Sequence, residues 1–158
     1  MYTPINNRPW WLLIWLLAAP LLLLSGCKQA PPVVDGETAE ILASLRYPGQ
    51  ADYGPDLDII IVREGSSIHM TNRTPRTYDN MQLWLNQQYV RLSGKVEIGA
   101  NESIKLPTLL NRHRESFPIG SFFQPDKSRP VISAELYDPV ANIRYRLTVH
   151  PDEQTLDL

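Results

Sequence analysis

Short runs in which apolar and polar residues alternate recur through residues 56–106 and 131–150, and no other feature restricts the fold as strongly. Runs of this period, bounded by Gly, Pro, Asn, Asp and Ser, are typical of β-strands. About seven short strands in fewer than about 100 residues indicate an all-β fold, an antiparallel β-sandwich. We predict strands at Leu57–Arg63, Ser67–Thr71, Asn80–Asn86, Tyr89–Leu92, Lys95–Ile98, Ser103–Leu106, Val131–Tyr137 and Ile143–His150, with a turn at Ser93-Gly94.

The last two runs predict a hairpin with a defined register. The loop Pro139–Asn142 sets Leu136 opposite Tyr145. The same register sets Glu135 opposite Arg146 on the outer face, which is a favourable cross-strand pair. A slip by one residue would bury arginine in the core instead. The residues expected to face the core are Ile132, Ala134, Leu136, Tyr145, Leu147 and Val149.

The first strand of this hairpin carries a short family resemblance. Ala134-Glu135-Leu136-Tyr137-Asp138 resembles the Leu-Tyr-Asp strand end of small bacterial immunoglobulin-like domains. The resemblance covers five residues and implies that the sandwich is immunoglobulin-like. The chain lacks the disulfide of antibody-type domains, because it has one cysteine.

The N-terminal part has the order of a secretory signal. Arg8 precedes an apolar stretch, Trp10–Leu24, and the sole cysteine, Cys27, follows small residues. A transmembrane helix needs about 20 apolar residues, whereas this stretch has 15 (24 − 10 + 1) and contains Pro20. An ordinary secretory signal would leave Cys27 as an unpaired exported thiol. These observations favour a cleaved signal peptide over residues 1–26.

The end of the apolar stretch, Leu24-Ser25-Gly26-Cys27, resembles the lipobox of bacterial lipoproteins. The resemblance implies signal peptidase cleavage between Gly26 and Cys27. It also implies a diacylglyceryl thioether on Cys27 and an N-acyl chain, which together attach the protein to a membrane. Lys28 replaces the aspartate that favours retention in the inner membrane of well-known Gram-negative systems, which favours the outer membrane. The expected location is therefore the cell membrane or outer membrane, with the domain facing the periplasm or the exterior.

The mature chain divides into three parts at its composition changes. Residues 27–55 are rich in proline and glycine, and we predict a lipidated cysteine followed by a flexible tether. Residues 56–151 form the predicted β-sandwich, and residues 152–158 a C-terminal tail. Within the tether, Thr38–Arg46 fits a short helix with Ile41, Leu42 and Leu45 on one face. That face either contacts a membrane or partner or, as we favour, docks on the domain.

Charge and motif content exclude several functions. Cleavage removes Arg8 and changes the formal net charge from −2 to −3, which gives no basic surface for nucleic acid. His69, His113 and His150 have no metal-ligand spacing, so we predict no metal site. Common nucleophile motifs are missing and the one cysteine is assigned to lipid, so we predict no catalytic residue and no enzyme. The covalent lipid on Cys27 is the only non-protein group expected.

The segment from residue 107 to residue 130 is the strongest candidate for a binding surface. It has no clear strand and holds all three phenylalanines beside a cationic cluster. Aromatic anchors next to cations suit a partner protein, an acidic polymer or a polysaccharide. The alternative, which we favour, is that the phenylalanines fill the end of the sandwich. The candidate residues are Arg112, His113, Arg114, Phe117, Phe122 and Phe123.

Trp84 is a second candidate for a binding anchor. If Met81, Leu83 and Leu85 face the core, Trp84 lies on the opposite face with polar neighbours. An exposed tryptophan there would bind a partner. The favoured alternative is that another part of the chain covers it.

These observations predict a membrane-anchored envelope lipoprotein that acts as a non-enzymatic binding or accessory module. An envelope protein or a polysaccharide is the expected partner, in addition to the membrane itself. One alternative is a small hydrolase or carbohydrate-binding protein with its site under the 107–130 segment. The other is a structural subunit of an envelope assembly.

Overall fold

The computed structural model describes residues 33–121 and 124–150. The signal peptide, Cys27, Phe122, Phe123 and the tail at residues 152–158 lie outside these ranges. Within these ranges the elements are one helix, α1 (Gly36–Ser44), a 3₁₀ turn (Leu106–Thr108) and ten strands. The strands are β1 (Asp52–Tyr53), β2 (Leu57–Glu64), β3 (Ser67–Asn72), β4 (Tyr78–Leu85), β5 (Tyr89–Val96), β6 (Asn101–Lys105), β7 (Ile119–Ser121), β8 (Gln124–Ser128), β9 (Ala134–Asp138) and β10 (Ile143–His150).

Eight strands form one curled sheet, a half-barrel, in the order β5-β4-β9-β10-β2-β3-β6 with β1 added beside β10. Strands β7 and β8 form a separate pair within the predicted loop. The all-β prediction is confirmed. The sheet is mixed rather than purely antiparallel, because β1 and β2 both run parallel to β10. The sequence pattern does not reveal this parallel pairing, because one continuous strand, β10, pairs with two separate strands, β1 and β2.

A glycine separates these two neighbours. Gly54 donates its N–H to the Arg144 carbonyl at 2.8 Å. A Cβ built on Gly54 would lie 2.5 Å from the ring of Tyr145. The chain therefore approaches β10 more closely than any residue with a side chain would allow.

The curl brings the two outermost strands of the sheet near each other. Val90 of β5 exchanges backbone hydrogen bonds of 2.9 and 3.1 Å with Leu110, which lies just after β6 and the 3₁₀ turn. Arg91 of β5 forms a 3.3 Å ion pair with Glu102 of β6. The sheet therefore wraps around one interior, and the side chains on its concave face fill that interior.

The core consists of the inward residues of nearly every strand. Alternation along the strands puts apolar side chains on the concave face, so that the predicted face of β4 is confirmed. The buried set includes Ile59, Ile61, Ile68, Met70, Met81, Leu83, Leu85, Ile104, Leu136 and Leu147. Phe117, from the long segment after β6, enters the same core.

The predicted hairpin register is confirmed, with one exception at its start. Leu136 pairs with Tyr145 and Glu135 with Arg146. Ile132 was expected to face the core but is 76% exposed. The Asn86 side-chain oxygen accepts hydrogen bonds from the N–H groups of Ile132 and Ser133, at 2.9 and 3.2 Å. These bonds tie residues 132 and 133 to the end of β4, with the Ile132 side chain exposed.

The predicted turn at Ser93-Gly94 is wrong. Strand β5 passes through both residues, and Ser93 pairs with Met81. The turn between β4 and β5 lies instead at Asn86 and Gln87, whose φ angles are +50° and +58°. Asn86 donates to the Pro130 carbonyl at 2.8 Å, so a contact distant in sequence fixes this turn.

Part of the predicted tether is folded, since helix α1 and strand β1 lie within residues 27–55. Helix α1 starts at Gly36, two residues before the predicted helix Thr38–Arg46. Its N-cap is Asp35, whose side chain accepts from the Thr38 N–H at 2.9 Å. Leu42 is buried against Trp84, Val90 and Leu110 on the convex face. The helix therefore docks on the domain, as favoured from the sequence.

Candidate functional site

A groove of about 490 Å³ lies where the end of α1 meets two loops of the sheet. Its walls come from the residues after α1, from the turn between β4 and β5, and from the loop that follows Leu110. We call it the arginine groove, and the lining residues that matter chemically are Arg46, Tyr47, Trp84, Gln88, Arg112 and His113.

The floor of the arginine groove is aromatic and largely buried. Trp84 is 3% exposed, and its indole N–H donates to the Gln82 side chain at 3.1 Å. The Tyr47 ring meets the Trp84 ring edge-on, with 5.6 Å between their centroids. Helix α1 covers the indole through Leu42. Trp84 therefore supports the groove from below and is not an exposed anchor, so the favoured alternative describes it.

Arg46 forms one wall at the C-terminal end of α1. One guanidinium nitrogen, Nη1, donates to the carbonyls of Ala43 and Leu45 at 2.8 and 3.0 Å. A cation is favourable here because it caps carbonyls that the helix leaves unpaired. The other guanidinium N–H groups of Arg46 have no hydrogen-bond partner in the described part of the chain.

A second part of the lining is a tight loop that Asn111 organises. The Asn111 side-chain oxygen accepts from the N–H groups of His113 and Glu115 at 2.8 and 3.0 Å. Its amide nitrogen donates to the Glu115 carboxylate at 2.7 Å. Arg112 donates through Nε to His113 Nε2 at 3.0 Å, so the neutral imidazole carries its proton on Nδ1. The loop thereby presents a guanidinium and an imidazole N–H together.

The lining of the arginine groove carries more positive charge than negative. It contains two arginines and a histidine, and none of its lining residues in the described ranges is acidic. The nearby carboxylates are occupied, since Glu115 binds Asn111 and Glu40 binds Arg114 at 3.3 Å. The groove is therefore suited to a negatively charged group.

The structure brings together only some of the residues that the sequence singled out. Trp84, Arg112 and His113 line one groove. Arg114 lies outside it, because its positive φ of +63° and its ion pair with Glu40 turn it towards α1. Phe117 is 1% exposed and packs on Tyr89 at 4.9 Å between ring centroids, so it is a core residue.

Sequence reasoning missed Arg46, Tyr47 and the two glutamines of the groove. Arg46 and Tyr47 fell in the predicted tether, and Gln87 and Gln88 in the unrecognised turn. The one local signal was Arg46 at the end of a predicted helix, where cations are favoured.

A buried network fixes the chain segment that follows Arg46. Arg144 of β10 is 7% exposed, and all five of its N–H groups have acceptors. Nε and Nη2 donate to the Ala51 carbonyl at 3.1 and 2.8 Å, and Nη2 also donates to Gly49 at 3.2 Å. Nη1 donates to the hydroxyl groups of Tyr47 and Tyr53 at 2.7 and 3.0 Å. Residues 47–53 therefore form a strap across the convex face.

Glu135 completes this network from the neighbouring strand. It is 4% exposed and accepts from the hydroxyl groups of Tyr47 and Tyr53 at 2.9 and 3.1 Å. A carboxylate oxygen lies 3.8 Å from Arg144 Nη1. Burial and the hydrogen bond to Glu135 raise the pKa of Tyr47 above its ordinary value. The strap therefore covers the outer face of the hairpin at Glu135 and Arg144.

Two further properties concern the described ranges only. No cluster of three or more His, Cys, Asp or Glu side chains there is arranged to hold a metal ion. No helix there has both the length and the apolar character needed to cross a membrane.

Comparison of the chain with protein-family models, with curated proteins and with solved structures gave no match.

Proposed function

We propose that the chain is a lipid-anchored protein of the bacterial cell envelope whose domain is a non-enzymatic binding module. The lipobox-like Leu24–Cys27 supports the anchor. One observation supports the binding role: the arginine groove contains guanidinium N–H groups of Arg46 and Arg112 with no partner in the described residues. Such groups are available to a ligand with negative charge.

The anchor and the domain are close along the chain. Asp35, the N-cap of α1, follows Cys27 by eight residues. Eight extended residues span at most about 29 Å. A domain attached in this way works near its own membrane, in the cell membrane or outer membrane, and faces the periplasm or the exterior.

An acidic surface of an envelope protein or an acidic polysaccharide is the partner that we propose. Either offers carboxylate or phosphate groups to the arginines and hydroxyl or amide groups to Gln88. The immunoglobulin-like sandwich predicted from the sequence stays a prediction beside the curled, mixed sheet.

The anchor leads to a prediction about Cys27. Mass spectrometry of the exported wild-type protein should show an N-terminal Cys27 that carries acyl chains. In Cys27→Ser no acylated N-terminus should form, because the thiol is the attachment point. Ser25→Ala keeps a small residue before the cleavage point and should be processed normally. An unacylated Cys27 in the wild type would disprove the lipoprotein part of the proposal.

The binding role leads to a prediction about Arg112. Affinity capture from solubilised envelope, with the full lipidated chain as bait, should recover an acidic protein or glycan. The Arg112→Ala bait should recover at least about tenfold less partner than the wild type, since one charge-assisted contact contributes about that factor. Arg114→Ala removes the same charge from the same loop but lies outside the groove, and it should recover the partner as the wild type does. Equal recovery by all three baits would contradict the proposed binding role.

A further inference from the structure

We infer that the arginine groove is a binding site for a phosphate group. This inference rests on the proposed function, because it names the ligand class of the same groove. It follows from the hydrogen-bond donors that line the groove, from the acceptors already occupied around it, and from the arrangement of its walls.

The donors of the groove exceed what the protein itself uses. Arg112 donates a hydrogen bond through Nε to His113, and its two terminal nitrogens have no partner in the described residues. Arg46 donates only through Nη1, to carbonyls at the end of α1. His113 accepts at Nε2, which leaves its Nδ1–H as a further donor. Two guanidinium groups and one imidazole therefore line the groove with N–H groups to spare.

Three side-chain acceptors at or near the groove are already occupied within the protein. The Asn111 side-chain oxygen accepts two backbone N–H groups. The Gln88 side-chain oxygen accepts from Arg129 at 2.7 Å, which leaves the Gln88 amide N–H₂ as a donor. The Glu115 carboxylate accepts from the Asn111 amide. An incoming ligand must therefore supply the acceptors, and an anion supplies the strongest ones.

The positions of the donors favour phosphate over carboxylate. Arg46 lies on the wall formed by the end of α1, whereas Arg112 and His113 lie on the wall formed by the Asn111 loop. A carboxylate has two oxygens in one plane. A phosphate has oxygens in a tetrahedral array and accepts from donors that come from separate chain segments, often with bidentate arginine contacts. The 490 Å³ volume leaves room for the organic group that bears the phosphate, a lipid headgroup or a phosphorylated glycan.

Trp84 provides the readout for a test. It lies under the groove, and Trp10, Trp11 and Trp15 are removed with the proposed signal peptide, so it is the only tryptophan of the processed chain. Titration of the full lipidated protein, in neutral detergent, with inorganic phosphate should change Trp84 emission and reach saturation. Chloride at equal ionic strength should leave Trp84 emission unchanged. Arg112→Ala should weaken the phosphate response about tenfold. Arg112→Lys, which keeps the charge without the bidentate geometry, should weaken it less.

The control variant is Arg114→Ala, which changes the same net charge outside the groove and should stay within about twofold of the wild type. A response that does not saturate, or an equal loss in Arg112→Ala and Arg114→Ala, would overturn the inference. A second arm identifies the source of the phosphate. The lipidated protein in neutral, phosphate-free detergent micelles is measured with or without added phosphatidylglycerol. If phosphatidylglycerol shifts Trp84 emission in the wild type but not in Arg112→Ala, the ligand is a lipid headgroup.

If soluble phosphate alone gives the saturable, Arg112-dependent response, the site takes a phosphate-bearing soluble ligand or glycan. Failure of this inference differs from failure of the proposed function. Arg112-dependent capture of a partner without any phosphate response would overturn the phosphate site and leave the binding role intact. An unacylated Cys27 together with a saturable phosphate response would disprove the lipid anchor and leave the phosphate site intact.

Discussion

Replacing Arg144 by alanine is expected to destabilise the domain by about 3–5 kcal/mol. The substitution leaves Glu135 buried without its cation, and removing one partner of a buried ion pair has about this effect. It also leaves the carbonyls of Gly49 and Ala51 without their donor. Urea unfolding followed by circular dichroism measures the change in the free energy of unfolding, and hydrogen exchange should show that residues 47–53 lose protection first.

Arg146→Ala is the matched control, two residues along the same strand. Arg146 forms a 3.4 Å ion pair with Asp56, with both side chains well exposed, and its guanidinium lies 4.5 Å from the centre of the Tyr53 ring. Exposed pairs contribute at most about 1 kcal/mol. The double variant Arg144→Met with Glu135→Leu should recover much of the lost stability, because it removes both buried charges. If Arg144→Ala and Arg146→Ala lower stability equally, the network around Arg144 does not fix the strap.

Replacing Phe117 by alanine is expected to lower stability by about 3–5 kcal/mol, since the removed ring leaves a cavity in the core. The ring is 1% exposed and packs on Tyr89. Urea unfolding again gives the measurement. A binding anchor would behave in the opposite way, because its loss would weaken partner capture and leave stability unchanged.

Val140→Ala serves as the control for a deletion of apolar atoms at the surface. Val140 is 93% exposed in the loop between β9 and β10, and its replacement should change stability by no more than about 0.5 kcal/mol. Phe117→Leu keeps most of the buried volume and should fall between the two. An unchanged midpoint for Phe117→Ala would contradict the core assignment.

The parts of the fold that follow from local alternation were predictable from the sequence. The run Ile143–His150 is strand β10 with the predicted limits, and Leu136 pairs with Tyr145 as predicted. Alternation fixes which face a residue occupies, and a short loop fixes which residues pair. Errors arose where contacts distant in sequence decide the conformation. The turn at Asn86 depends on Pro130, and the strap depends on Arg144.

The candidate site was predictable only in part for the same reason. Arg112 and His113 were recognised as cations beside aromatic residues, and both line the groove. Arg46 was not recognised, because it lies 66 residues before Arg112 in the chain (112 − 46). Only the docking of α1 on the domain brings Arg46 to the groove. A cationic cluster in sequence does not reveal which of its members share a wall, and the positive φ of Arg114 removes that residue from the set.

The contacts between β5 and β6 have a consequence for neighbouring copies of the protein. Free strand edges are templates on which a second chain can add a strand and start aggregation. Val90 is already bonded to Leu110, and Arg91 and Glu102 place charge along the two margins. The Val90–Leu110 bridge and the Arg91–Glu102 pair therefore leave less free strand edge on which a second copy could add a strand.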